Sequence, residues 1–476
     1  MNHFDHIYID GTWMPSESSA QIPVINPATE TVVLAVPAGT AGDADRAVAA
    51  ARHAFESWSA VPPAERAKYL TAISDVLAAR SEQLTELISA ELGMPRKQTA
   101  AFQVHGAITK IAAYVEAAEG YAWEERSDRA TVVRQPVGVV VAITPWNAPL
   151  SIAIDKVMPA LLTGCTVVLK PSEVTPLNAW VLAEAIHDAG LPAGVFNLVS
   201  GEGPTVGEAL VDHPDVDMIS FTGSTGAGTR IATLAAGRSA RVLLEMGGKS
   251  ANIVLPDADL DQALKPSVIA CFANSGQICT APTRLLVDRS RYQQAVDSIK
   301  LIAEQITVGD PSTDVDLGPL VSATQRDRVR DYIEKGISEG ARLVTGGPQP
   351  PEGLTTGFFV RPTVFADVDN SMTIAQQEIF GPVLSIIAYD DEEDAVRIAN
   401  DTHYGLSAMV WSSDVNHANR VARRLRTGAV RINGHKAGHN APAGGFKRSG
   451  IGRTNGRFGL DEYTEVQTIA DEERSK

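Results

Sequence analysis

The sequence predicts an α/β protein built around parallel sheet. Short apolar runs rich in β-branched residues recur through the middle of the chain, and amphipathic helical stretches separate them. That alternation puts helices on both faces of a sheet. The chain's 476 residues also exceed one ordinary core. At roughly 100–200 residues per domain they make two to four units.

The first part reads as helical. DADRAVAAARHAF (43–55) and AERAKYLTAISDVLAARSEQLTELISAELG (64–93) carry apolar residues at helical spacing, and Gly93 followed by Pro95 ends the second. TVVRQPVGVVVAI (131–143) and TVVLKPS (166–172) then switch to strand-like composition. Further short strands are expected at GVFNLVS (194–200), DMISFTG (217–223) and ARVLLEMGG (240–248), with helices at 176–190 and 203–212 between them. This is a Rossmann-like unit, whose ligand belongs at the carboxyl ends of the strands. A second α/β stretch runs from about Asn252 to Asn433, with a helix at 322–340 and a strand at 381–390. No flexible linker divides the two, so they should pack closely and leave a cleft.

The bulk properties exclude several classes. The net charge of −16 argues against nucleic acid or an anionic membrane as partner. No apolar run approaches the roughly 18 residues of a membrane helix. The N-terminus, MNHFDHIYIDGTW, lacks the apolar core of a signal peptide. Three cysteines make no disulfide framework. The expectation is a reducing, cytoplasmic enzyme.

Several segments carry candidate chemistry. Cys279 lies in NSGQICTAPTR (274–284) among small and polar residues. At a helix N-terminus its thiol would ionise more readily; the alternative is a small buried hydrophobe. Glu245 ends an apolar strand just before Gly-Gly, where a carboxylate can act as general base or simply cap a turn. Asn147 sits between Pro145 and Pro149, a rigid setting for an oxyanion donor or for a turn. In LKPSE (169–173), Lys170 and Glu173 can hold ribose hydroxyls or form an exposed ion pair. An acid there favours NAD over NADP. FTGSTGAG (221–228) is a glycine-rich turn into a helix, able to seat pyrophosphate. EIFGPV (378–383) sets Glu378 beside Phe380, a carboxylate for ribose and a ring for nicotinamide, or a helix end running into a strand.

Taken together, PWNAP, LKPSE, FTGS, LEMGGK, GQICTA, EIFGPV and GGFKRSGIGR (444–453) resemble the aldehyde dehydrogenase superfamily nearly end to end and in order. The resemblance implies that Cys279 is the nucleophile and Glu245 the general base. Asn147 and the Cys279 N–H would form the oxyanion hole, with Lys170 counted among the catalytic residues. Lys170, Glu173, Ser224 and Glu378 would hold the dinucleotide, and Trp146 and Phe380 would line its site. Ile143, Ser172, Gly203, Phe221, Gly223 and Gly247 are expected around it. The cofactor implied is NAD, with NADP possible. The resemblance also implies three parts: a cofactor domain (1–121 and 138–246), a catalytic domain (247–448), and a small β oligomerisation hairpin with the C-terminal tail (122–137 and 449–476). It implies a homodimer or homotetramer. Glu245 sets the chain apart from CoA-acylating relatives, which usually lack that base.

Departures from the family pattern concern the substrate tunnel. Ala148 follows Asn147 where relatives carry Phe or Tyr, and Ala443 and Ala437 stand where rings are frequent. Asp155 falls near a common Trp position. With Ile278 and Thr280 flanking the nucleophile, these residues predict a roomy tunnel with a polar side, suited to a bulky aromatic or branched aldehyde. His435 and His439 have a helical metal-pair spacing, but Gly434 and Gly438 place them in a loop, and no metal is expected. Cys165 and Cys271 read as core.

Overall fold

The computed structural model describes residues 3–470; residues 471–476, the end of the expected tail, lie outside the described residues. The first sheet has eight strands. Five are parallel, in the order Arg241–Glu245, Met218–Thr222, Val139–Ile143, Thr166–Lys170 and Phe196–Leu198. Gly450–Ile451 closes one edge and Ile7–Ile9 with Thr12–Met14 the other, each antiparallel. The strands are near-continuous apolar runs because both faces are covered. Val140, Ala142, Val167 and Leu169 enter one core with the helices Pro149–Thr163 and Leu177–Asp188. Their neighbours Val139, Val141 and Val168 enter another with the helix Ala41–Ser59.

The second sheet has seven strands, in the order Arg342–Thr345, Thr363–Ala366, Val383–Tyr389, Arg284–Asp288, Ala251–Val254, Ser407–Trp411 and Ala429–Ile432. All but the first run parallel. A third, antiparallel sheet joins Thr464–Ala470 to Ala130–Pro136 and Glu124–Ser127. Among the described residues no helix is long and apolar enough to cross a membrane.

Two expected elements divide. The β-rich stretch 131–143 forms two strands in two different sheets, parted at Gly138. That residue has φ +130°, and a Cβ there would lie 1.9 Å from the Asp217 carboxylate that accepts the Val139 N–H at 2.7 Å. Only glycine fits such a kink. The long helix of 64–93 is two helices, Pro63–Ala79 and Ser81–Leu92, broken at Arg80. Arg80 leaves helical geometry (φ −103°, ψ 14°) and its guanidinium pairs with Glu184 and Asp188 on the helix Leu177–Asp188. Gly93 ends the second helix in the left-handed conformation, as its sequence position predicts.

Candidate active site

The nucleophile segment begins where the helix Leu260–Phe272 ends. Asn274, Ser275 and Gly276 are consecutive left-handed residues, at φ 50°, 54° and 75°. Side-chain bonds hold this unusual backbone. Ser275 Oγ donates to Gly318 O (2.8 Å), and buried Gln277 donates to Asn274 O (3.1 Å) while accepting from Val321 N (2.9 Å). A Cβ on Gly276 would sit 2.1 Å from Gly381 O. Cys279 therefore follows a braced turn, not a helix N-terminus, and the expected promotion of its thiolate is corrected. It keeps some surface open, yet burial first, and then the carboxylates of Glu245 and Glu378, push its thiol up to about 12. Cys165 and Cys271 are fully buried.

Asn147 sits just ahead of the helix Pro149–Thr163 and is buried. Its side-chain N–H donates to Gln277 O at 2.9 Å, two residues before the nucleophile. Its own carbonyl accepts from Asn274 and Gln103, each at 3.1 Å. One amide hydrogen of the side chain remains for an oxyanion. Glu245 ends its strand beside Thr222 and accepts from Thr454 Oγ1 at 2.9 Å. The strand Gly450–Ile451 pairs with Leu244 and Glu245, and Ser449 ties Gly247 O to Gly405 N through its hydroxyl. The GGFKRSGIGR segment thus braces the carboxylate. Sequence reading gave Thr454, Ser449, Lys156 and Arg431 no role. Lys156 is fully buried, its Nζ 3.2 Å from Ser220 Oγ; burial brings its ammonium down to about 8, against the pull of Glu245 and Asp155.

Cys279, Glu245 and Asn147 line one cavity of about 1580 Å³. Of the expected tunnel residues, Ala148, Asp155, Ile278, Thr280 and Ala443 line it. Ala437 does not; it is exposed, and His435 and Lys436 of the same loop face the mouth instead. The loop turns outward where Gly434, at φ +75°, packs against Trp411. Asp155 is not a free polar wall either, because Lys110 forms an ion pair with it. Lys110 also donates to Ser151 Oγ at 2.9 Å. His435 and His439 lie in a loop, and no metal-binding cluster occurs among the described residues.

The residues expected around a dinucleotide gather outside this cavity, mostly at the carboxyl ends of the first sheet. Lys170 ends its strand, nearly fully buried, and faces Glu173 across 3.5 Å; burial lowers its pKa against the pull of that carboxylate. Ile143 ends the adjacent strand and Ser172 is buried two residues beyond Lys170. Ser224 caps the helix Thr225–Ala236, accepting from Ala227 N at 3.2 Å, and Gly223 packs against the Phe221 ring. Around Gly203 and Gly226 there is open space where a side chain would stand. Glu378 accepts from Gly248 N at 3.0 Å, and a Cβ on Gly247 would lie 1.9 Å from its carboxylate. Burial raises Glu378 to about 7. Phe380 meets Trp146 edge to face, centroids 5.2 Å apart.

Residues 13–469 match the profile of the aldehyde dehydrogenase family. A 3-succinoylsemialdehyde-pyridine dehydrogenase from a Pseudomonas species is 44% identical over 471 residues, 98% of this chain and 99% of that one. Aldehyde dehydrogenase C from Pseudomonas syringae, solved as a mutant with NAD+ and octanal, superposes with a TM-score of 0.97 at 48% identity, covering 98% of this chain and 97% of that one. Mycobacterium tuberculosis aldehyde dehydrogenase in complex with NAD+ gives a TM-score of 0.97 at 45% identity, over 99% of both chains. The chain belongs to the aldehyde dehydrogenase family.

Proposed function

We propose that this protein oxidises an aldehyde to its carboxylic acid with NAD+, through a thioester on Cys279. The observation that carries this is the convergence of Cys279, Glu245 and the Asn147 amide on one cavity between the two sheets. The donor set at the strand ends fits a dinucleotide. The glycine-lined opening of the helix Thr225–Ala236 suits a pyrophosphate. Lys170 and Glu173 suit ribose hydroxyls, and the Glu173 carboxylate would repel a 2′-phosphate. The Trp146–Phe380 edge suits a nicotinamide ring.

The chemistry follows from the residues. The Cys279 thiol gives up its proton to water, and the thiolate adds to the aldehyde carbon, forming a C–S bond as the carbonyl π pair moves to oxygen. That oxyanion is received by the free Asn147 amide hydrogen and the Cys279 main-chain N–H. The supply of a hydride acceptor is what bound NAD+ contributes. Loss of hydride from carbon restores the C=O bond and leaves the thioester. Glu245 then takes a proton from water as its oxygen adds to the acyl carbon, and the C–S bond breaks to release acid and thiolate.

The cavity's size supports a bulky aldehyde, aromatic or branched. A pyridine-bearing semialdehyde named for one relative and octanal bound to another are both large. Assembly as a homodimer or homotetramer is supported by the strand Thr464–Ala470, an edge strand that leaves Val466 and Ile469 exposed.

The test is an aldehyde panel read by NADH absorbance, with Cys279→Ala and Glu245→Gln alongside. Cys279→Ala should lose all oxidation. Glu245→Gln should give one burst of NADH and then turn over slowly as acyl-enzyme accumulates. Undiminished steady turnover in Glu245→Gln would remove Glu245 from the hydrolytic step.

A further inference from the structure

We propose that Arg431 anchors a carboxylate on the substrate, so that the aldehyde this enzyme works on is an aldehyde acid. The assignment rests on the oxidation proposed above and names the substrate class for it. Arg431 lies on the edge strand Ala429–Ile432 of the second sheet. Side chains alternate along a strand, and Ala429, Arg431 and Asn433 line the cavity while Val430 and Ile432 pack into the core. The guanidinium is half-buried and makes no hydrogen bond or ion pair with any described residue.

Its neighbours on the cavity wall differ. Lys110 is tied to Asp155 and Ser151. Lys436 lies over the Phe102 ring, 5.1 Å from its centroid. Lys265 stands exposed to solvent. The acids of the wall are engaged elsewhere or solvated. Glu245 is held by Thr454, Asp155 by Lys110, and Asp259 caps the helix Leu260–Phe272, while Asp261 is exposed. A partly desolvated cation with no counter-charge is costly unless an anion arrives to pair with it. The guanidinium stays charged and presents a planar fork that matches a carboxylate in two parallel bonds. Burial lowers the Arg431 pKa. Arg431 and Cys279 line the same cavity, so a carboxylate held by the fork keeps its aldehyde in the space that the thiol faces, as a formylbenzoate or a semialdehyde acid would.

The experiment measures kcat/KM for two matched pairs, 4-carboxybenzaldehyde against benzaldehyde and succinic semialdehyde against butanal. The proteins are the wild-type enzyme, Arg431→Leu and Arg431→Lys. NADH from either neutral aldehyde in the wild type establishes the reaction independently of the anchor. The proposal expects the wild type to favour the acid of each pair by at least about tenfold. Arg431→Leu should bring that ratio to about one, through KM for the acid. Arg431→Lys should retain part of it, and serves if the leucine variant does not fold. Terephthalate and benzoate binding by calorimetry gives the same ratio without turnover. A wild type that does not distinguish the pairs overturns the proposal. So does an Arg431→Leu variant that slows both members alike, because Arg431 would then act on the Cys279 thiol and not on a substrate anion.

Discussion

Three left-handed residues in a row, only one of them glycine, set the direction of the Cys279 side chain. Asparagine tolerates this conformation because its short amide can bond locally, and here it donates to Gln277 O at 3.4 Å as well as to Asn147 O at 3.1 Å. The sequence singled out the cysteine that lines the cavity, since Cys165 and Cys271 sit in apolar runs and Cys279 among polar residues. It gave no sign that the thiol's setting disfavours charge, because the burial chiefly responsible, and the Glu245 and Glu378 carboxylates that add to it, arise only when separate parts of the chain pack together. With the thiol raised to about 12, the thiolate is a minor species at neutral pH. Its fraction grows about tenfold per pH unit below that value. Alkylation by iodoacetamide, followed by mass spectrometry, should therefore concentrate on Cys279 and climb about tenfold per unit from pH 7 to 10. Glu245→Gln removes one of the charges that raise the thiol and should move the curve to lower pH. A plateau by pH 8 would contradict the assignment.

Strand pairing places the general-base candidate. Leu244 and Glu245 are clamped between Met218–Thr222 on one side and Gly450–Ile451 on the other. The second clamp comes from a segment more than two hundred positions away, so no local pattern could reveal it. The GGFKRSGIGR run marked the segment as special without saying what it touches. Ser449 is the joint: buried, accepting from Gly405 N at 2.9 Å and donating to Gly247 O at 2.7 Å. Ser449→Ala strands both buried backbone groups, which costs about 1–3 kcal/mol. The urea midpoint should fall accordingly, with the dependence on denaturant unchanged. An unaltered midpoint would mean the clamp contributes little. Elsewhere, apolar runs located the strands well, but 131–143 read as one element because composition alone does not show a change of sheet. The turn at Gly138 is set by Asp217, a long-range contact.

At the scale of the molecule, alternating strands and helices announced two packed α/β units, and the cavity between them holds residues from both. The cavity wall was legible in part: Ala148 and Ala443 line it, while Ala437 misses it because the loop leaves the wall after Lys436 and is exposed over 437–440. Lys110 and Arg431 were not foreseen, since neither lies near a motif. The edge strand Thr464–Ala470 carries the assembly prediction, with Val466 63% and Ile469 47% exposed. Replacing both with Glu should reduce the mass seen in sedimentation velocity, whereas an unchanged mass would place the subunit contact elsewhere. That strand pairs with Ala130–Pro136, and the same stretch of backbone runs on through Gly138 and Val139–Ile143 to Asn147. Chain from the outer rim to the proposed oxyanion donor is thus short and turns once, at the Gly138 kink. A neighbouring subunit gripping the rim would steady that donor from afar, and thinning the protein solution until subunits part should slow catalysis before any unfolding is seen.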